Sequence, residues 1–139
     1  MNQFEYDTLI NCVKILKETI LEFPDRGNQS KHDVQKKDDK NVKFELIINR
    51  KGHLNQDNLS FLLKSSGGLL VRLDCSGAPH EDVPTPHLHI FDEEHDNGRI
   101  AVGLEEVDFE FAKDLFESIS YFLDYTNIEQ PSISLKLDL

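Results

Sequence analysis

The chain is expected to fold as an α+β domain: an antiparallel sheet of about five strands, with an N-terminal and a C-terminal amphipathic helix on one face. Three observations point there. Apolar residues recur at three- and four-residue steps near the start and again after residue 108. Between residues 42 and 104 the period changes to two. Short clusters of glycine, serine, asparagine and proline separate the period-two stretches, as hairpin turns would. Helices at both ends of a run of hairpins make a two-layer domain, not a doubly wound parallel sheet.

The first element is read from Tyr6, Leu9, Ile10, Val13, Leu16, Ile20 and Phe23, with Glu5, Asp7, Lys14, Lys17 and Glu18 between them. This is a helical stripe, which Pro24 and Gly27 end. Residues 24–41 are polar and charged with no apolar period, and are expected as a flexible solvated loop. Lys31, Lys36, Lys37 and Lys40 lie there, as solvated surface or as a phosphate contact. Strands follow at "VKFELIINR", "NLSFLLK", "LLVRLDC", "HLHIFD" and "RIAVGL". Asn97-Gly98 is expected as the tight turn of the last hairpin. The segment "DFEFAKDLFESISYFLDYTN" reads as a second helix with Asp108 as N-cap and Phe111, Leu115, Phe116, Ile119, Phe122 and Leu123 as its stripe. "SISLKLDL" adds a short C-terminal edge strand. Residues 1–139 are taken as a single domain without repeats.

Composition bounds the function. A chain of 139 residues is long enough to bury a core without staples. No apolar run approaches the roughly 18 residues that a membrane span requires, and the polar, acidic start "MNQFEYDTLI" is unlike a secretion signal. A cytoplasmic protein with no membrane partner is the expectation, with Cys12 and Cys75 as free thiols. Net charge is −11, from 26 acidic and 15 basic residues. That field repels phosphate backbones and favours basic protein partners; solubility alone also explains it.

The chemistry gathers in "PTPHLHIFDEEHDNGR", where three of the six histidines fall. Side chains alternate along a strand, so Val71, Leu73 and Cys75 point one way while Arg72 and Asp74 point the other. On the next strand Leu88 and Ile90 share one face, and His87 and His89 the opposite one. With helices over the apolar face, Arg72, Asp74, His87 and His89 are expected on the uncovered face. His80 stands above them on a loop stiffened by Pro79, Pro84 and Pro86. Three readings follow. The outer face of an antiparallel sheet is commonly just polar. Alternatively His87, His89 and Glu93 hold a divalent metal: the His-x-His spacing matches the first half of a cupin metal motif, but no histidine follows His95 to supply the second half. The third reading needs no cofactor: His80, His87 and His89 transfer protons in RNA cleavage, Arg72 stabilises charge on phosphorus, and Asp74 orients an imidazole. No phosphate-binding glycine loop, Cys-x-x-Cys or serine nucleophile elbow occurs, and His32 and His53 are expected to be inert.

The stretch "LLVRLDCSGAPHEDVPTPHLHIF" resembles a family of small, uncharacterised bacterial and phage proteins, known only as a domain of unknown function. The resemblance rests on Arg72, Asp74, Gly77, Pro79, His80, Pro86, His87 and His89, and extends to "FLDYTNI". Thr126 stands where the pattern carries a cysteine, and the segment after His95 is shorter. The chain is also distantly similar to a toxin–antitoxin family with a Pro-His-Val-His strand. Both resemblances imply mobile-element or phage-defence conflict. Two functions are therefore carried forward. One is a histidine-based phosphodiesterase or ribonuclease acting on RNA. The other is a non-catalytic acidic inhibitor, an antitoxin or anti-CRISPR protein. Its Glu93, Glu94, Asp96, Glu105 and Glu106 would cover the basic channel of a nuclease or toxin.

Overall fold

A computed structural model of the chain describes residues 1–51, 58–76, 80–104, 111 and 114–134. In order, the elements are α1 (Gln3–Asn11), β1 (Lys14–Leu16), β2 (Ile20–Glu22), β3 (Gln29–Lys36), β4 (Asp39–Asn49), β5 (Ser60–Ser65) and β6 (Gly68–Asp74). Then come β7 (His87–Ile90), β8 (Ala101–Gly103), α2 (Leu115–Tyr125) and β9 (Ser132–Ser134). Seven strands form one antiparallel sheet in the order β1-β3-β4-β5-β6-β7-β8, while β2 and β9 pair in parallel as a separate ribbon. The mixed class with two helices and a mostly antiparallel sheet is as expected; the strand number is seven, not about five.

The two additional strands of the sheet are β1 and β3, the first within the expected helix and the second within the expected loop. Val13, Leu16, Ile20 and Phe23 fit a helical stripe, yet α1 stops at Asn11 and Cys12 is already extended. Lys14–Leu16 instead pairs with residues 34–36 of β3 at the sheet edge. In β2 it is Leu21 that is buried, while Ile20 and Val13 are about half exposed. Sheet pairing overrides the local pattern here, helped by β-branched Val13, Ile15 and Ile20. The expected loop at 24–41 is corrected likewise: β3 and the start of β4 occupy most of it as a hairpin. Its inward positions are His32 and Val34, opposite Leu46 and Phe44, so the apolar face is supplied by the partner strand. His32 is thus a buried strand residue, its Nε2 2.7 Å from the Ser30 hydroxyl, not part of a loop. His53 lies outside the described residues.

The core packs on the face bearing Leu46, Ile48, Phe61, Leu63, Leu73 and Leu88. Phe122 of α2 meets Phe61 with ring centroids 5.7 Å apart, and Phe23 meets the same ring edge-on. The α2 N-cap is Asp114, whose carboxylate accepts the Glu117 N–H; Asp108, expected in that role, lies outside the described residues. Phe116, assigned to the apolar stripe, faces solvent. Tyr6 of α1 donates its hydroxyl to the Leu70 carbonyl at 2.7 Å. Leu70 is the extra residue of a bulge, because Leu63 pairs with Val71 but Lys64 with Leu69.

Among the described residues, one charged side chain sits wholly inside. Lys14 has no exposed surface, and its ammonium donates to the carbonyls of Ile10, Cys12 and Thr126 at 2.9–3.0 Å, over the Phe44 ring. It ties the end of α1 to the end of α2. Cys12 and Cys75 are free thiols, and among the described residues no helix is long and apolar enough to cross a membrane.

Candidate functional site

Register places the candidate residues side by side. Between β6 and β7, Arg72 pairs with His89, Leu73 with Leu88, and Asp74 with His87. Leu88 points into the core, so His87 and His89 share the opposite face with Arg72 and Asp74. On the other side of β7, His89 faces Ala101 and His87 faces Gly103. These small residues leave room for two imidazoles.

The face is not uncovered, which corrects the sequence expectation. His87 is 2% and His89 3% exposed. The cover has two parts. Residues 80–83 form a tight turn in which His80 and Val83 exchange both backbone hydrogen bonds, with Glu81 and Asp82 at φ 46° and 70°. The connection from β7 to β8 is the second part. It is not the two-residue hairpin expected at Asn97-Gly98. It runs through residues 91–100 and includes a short 3₁₀ turn, Asp96–Gly98, with all three residues at positive φ. Asp92 holds this connection, accepting the His95 N–H at 2.9 Å, His95 Nδ1 at 2.7 Å and Gln3 Nε2 at 3.2 Å. Burial alone would raise the Asp92 carboxyl; the His95 and Gln3 hydrogen bonds outweigh it and hold the group below its ordinary value.

Each imidazole is oriented by a backbone carbonyl. His87 Nδ1 lies 3.2 and 3.3 Å from the carbonyls of Val83 and Pro84. His89 Nδ1 lies 2.7 Å from the Gly98 carbonyl, and His80 Nε2 2.8 Å from that of Arg99. A carbonyl only accepts, so these are the protonated nitrogens. In the neutral His80 ring the lone pair is then on Nδ1. The other two rings turn Nε2 towards Asp74, His87 at 3.0 Å and His89 at 3.5 Å from the same Oδ2. His89 Nε2 is buried and makes no hydrogen bond among the described residues. Burial lowers His89 from the ordinary imidazole range, and the neighbouring Arg72 guanidinium lowers it further.

Asp74 is the hub. Besides the two histidines, its carboxylate accepts the Arg72 Nε–H on Oδ2 at 3.2 Å and the Ser60 hydroxyl on Oδ1 at 2.9 Å. The three rings meet edge to face, with centroids 4.9 Å apart for His87–His89, 5.0 Å for His80–His89 and 6.5 Å for His80–His87. The sequence-predicted Arg72, Asp74, His80, His87 and His89 are therefore together. Ser60, Gly98 and Val83 were not legible without the strand register and the two covering segments. Asp74, His87 and His89 also offer three ligand atoms within 4.8 Å of one another. Glu93, expected as the third metal ligand, is exposed on the connection and is not in that set. Glu94 and Asp96 are exposed beside it, Asp96 bonded to Arg99 at 3.3 Å. Glu105, Glu106, Gly77 and Pro79 lie outside the described residues.

Gly98 is a direct test of this geometry. Its φ is +87°, and an added Cβ would stand 2.4 Å from the Phe91 ring. Gly98→Ala is expected to cost roughly 1–3 kcal/mol through backbone strain and overpacking. The urea midpoint should fall, and the His89 imidazole resonances should move with the displaced carbonyl. A variant that keeps both unchanged contradicts the assignment of Gly98 as the His89 anchor.

A depression of about 360 Å³, lined by residues 82–86, Gly103 and Leu104, borders the site. A separate cavity of about 380 Å³, with Lys17, Lys40 and Lys43 in its wall, belongs to the β3–β4 hairpin and touches none of the clustered histidines.

Neither the curated proteins nor the solved structures hold a significant match to this chain. A family model does match, over residues 1–128, a span that contains every residue of the cluster. The chain therefore belongs to this family, described as a family of unknown function (DUF6978).

Proposed function

We propose that the protein cleaves RNA phosphodiesters at the cluster of Arg72, Asp74, His80, His87 and His89. Its setting, proposed from the sequence resemblance, is phage-defence or other mobile-element conflict. The supporting observation is the convergence of two imidazoles on one carboxylate that Arg72 also contacts, with the His80 ring packed edge to face against His89. Each group has a task. The unprotonated Nδ1 of His80 takes the proton of the ribose 2′-hydroxyl as its oxygen attacks phosphorus. Arg72, the most exposed of the ionic groups at the hub, meets the non-bridging oxygens. The Asp74–His87–His89 centre holds the cation, a proton on imidazole or a metal ion, that stabilises the departing 5′-oxygen; that oxygen takes its proton from a water, and the His80 imidazolium gives its own back to solvent. The products are a 2′,3′-cyclic phosphate and a 5′-hydroxyl. Incubating the purified protein with a single-stranded RNA and the all-deoxy strand of the same sequence tests this. Cleavage of the RNA alone, with those ends, is expected; equal cleavage of DNA, or none of RNA, overturns the reading.

A second reading has its own support: Glu93, Glu94 and Asp96 project from one connection of a chain with net charge −11. As an antitoxin or anti-defence inhibitor, the protein would cover a basic nucleic-acid channel. Binding to such a nuclease should then weaken with salt, since surface charges are screened over about 10 Å at 0.1 M. It should weaken again when Glu93, Glu94 and Asp96 are neutralised together.

A further inference from the structure

We propose that Asp74, His87 and His89 form a divalent metal site of the zinc type. It occupies the same centre as the proposed RNA chemistry and specifies what carries the positive charge there. The first argument is the direction of the lone pairs. Both histidines donate Nδ1–H to backbone carbonyls, His87 to Val83 and Pro84, His89 to Gly98. A neutral ring fixed in that way presents an unprotonated Nε2, and both are aimed at an anionic oxygen. A lone pair facing a carboxylate is repelled unless a proton or a cation lies between them. A proton shared by His87 and Asp74 resolves one of the two contacts. It leaves His89 Nε2 buried with no hydrogen bond among the described residues. One cation resolves both.

The second argument is distance. Four ligands bound at about 2.0–2.1 Å in a tetrahedron stand about 3.3–3.4 Å apart. The separations from Asp74 Oδ2 to the two Nε2 atoms, 3.0 and 3.5 Å, bracket that edge. The Nδ1–carbonyl bonds are the outer contacts that commonly orient metal-bound imidazoles. The donor set, two imidazoles and a carboxylate, suits Zn²⁺ and leaves a fourth position open. With Arg72 beside Asp74, a bound dication leaves the site with excess positive charge. That open position therefore suits an anionic oxygen such as that of a phosphodiester.

Asp92, Glu94 and His95 are another carboxylate–imidazole group. There the imidazole nitrogen that faces the carboxylate, His95 Nδ1, already makes a hydrogen bond to Asp92 at 2.7 Å, unlike His89 Nε2, so the group serves as the control.

The test reads metal without substrate, which separates its failure from failure of the RNA chemistry. Protein stripped with chelator is titrated with Zn²⁺ by calorimetry, and with Co²⁺ by visible absorption. One equivalent of Zn²⁺ is expected, with the intense ligand-field bands of a low-coordinate cobalt site. His89→Ala and the near-isosteric Asp74→Asn should each weaken Zn²⁺ binding by at least roughly 100-fold, the upper end for loss of an outer-sphere partner. His95→Ala should bind as the parent does. No stoichiometric Zn²⁺ in the parent protein, or binding lost in His95→Ala and kept in Asp74→Asn, overturns the site. If a variant fails to fold, the parent's stoichiometry and cobalt spectrum still decide.

Discussion

His80→Ala is expected to slow RNA cleavage by roughly 10²–10⁴-fold, the usual loss when a general base is removed. The melting temperature should move little. His80 is half-buried on a turn, and among the described residues its ring bonds to the Arg99 carbonyl. A net contribution of about 1 kcal/mol is ordinary for such a bond. His89→Ala should lose activity and also stability, by about 1–3 kcal/mol. Its ring is buried on the sheet, and its removal strands the Gly98 carbonyl. The contrast separates a proton-transfer group from one that also holds the site together. Initial rates and melting curves on the same preparations measure it. Full activity in a folded His80→Ala variant removes His80 from the mechanism.

Lys14→Met should cost the fold much of its stability. Methionine keeps the aliphatic stem against Phe44 but leaves the carbonyls of Ile10, Cys12 and Thr126 buried without their donor. A cost of about 3 kcal/mol is expected, at roughly 1–3 kcal/mol for each unsatisfied buried group with some relaxation. In a domain of this size that lowers the melting temperature by roughly 6–12 °C. The pH dependence gives an independent check. Burial pulls the Lys14 ammonium down from 10.5 to about 8. Between those values the unfolded chain binds more protons than the folded one, so the Lys14 contribution to stability rises with pH across that window. The rise should be absent from Lys14→Met. Equal urea midpoints for the two proteins at pH 7 would contradict the buried staple.

Much of the site was legible because it rests on strand alternation, which survives small errors of boundary. Leu73 and Leu88 inside, with Arg72, Asp74, His87 and His89 on the other face, follows from a period of two and a hairpin register. What alternation cannot report is whether the second face is covered. His87 and His89 were expected in solvent. The cover comes from residues 80–83 and 91–100, irregular segments whose paths depend on Asp92, Gly98 and several positive φ angles, not on any apolar pattern. Burial changes the chemistry, since it fixes both tautomers and leaves His89 Nε2 without a hydrogen bond among the described residues. It also changes the mutational expectation, because alanine at His89 is no longer a surface change. The fold was misread where sequence was locally ambiguous. Val13, Leu16, Ile20 and Phe23 satisfy a helical stripe, yet Lys14–Leu16 pairs with β3. In β3 itself, Val34 and His32 find their apolar surroundings across the hairpin, in Phe44 and Leu46. No window of residues 24–41 contains that information.

The most direct test of the proposed chemistry uses a DNA oligonucleotide carrying a single ribonucleotide. Only the 3′ phosphodiester of that ribonucleotide has a neighbouring 2′-hydroxyl. The parent protein should cut there alone, leaving a 2′,3′-cyclic phosphate, and a folded His80→Ala/Arg72→Ala variant should leave the strand intact. A strand that survives the parent protein, or that both proteins cut at the same rate, contradicts the assignment of this cluster as a ribonuclease site.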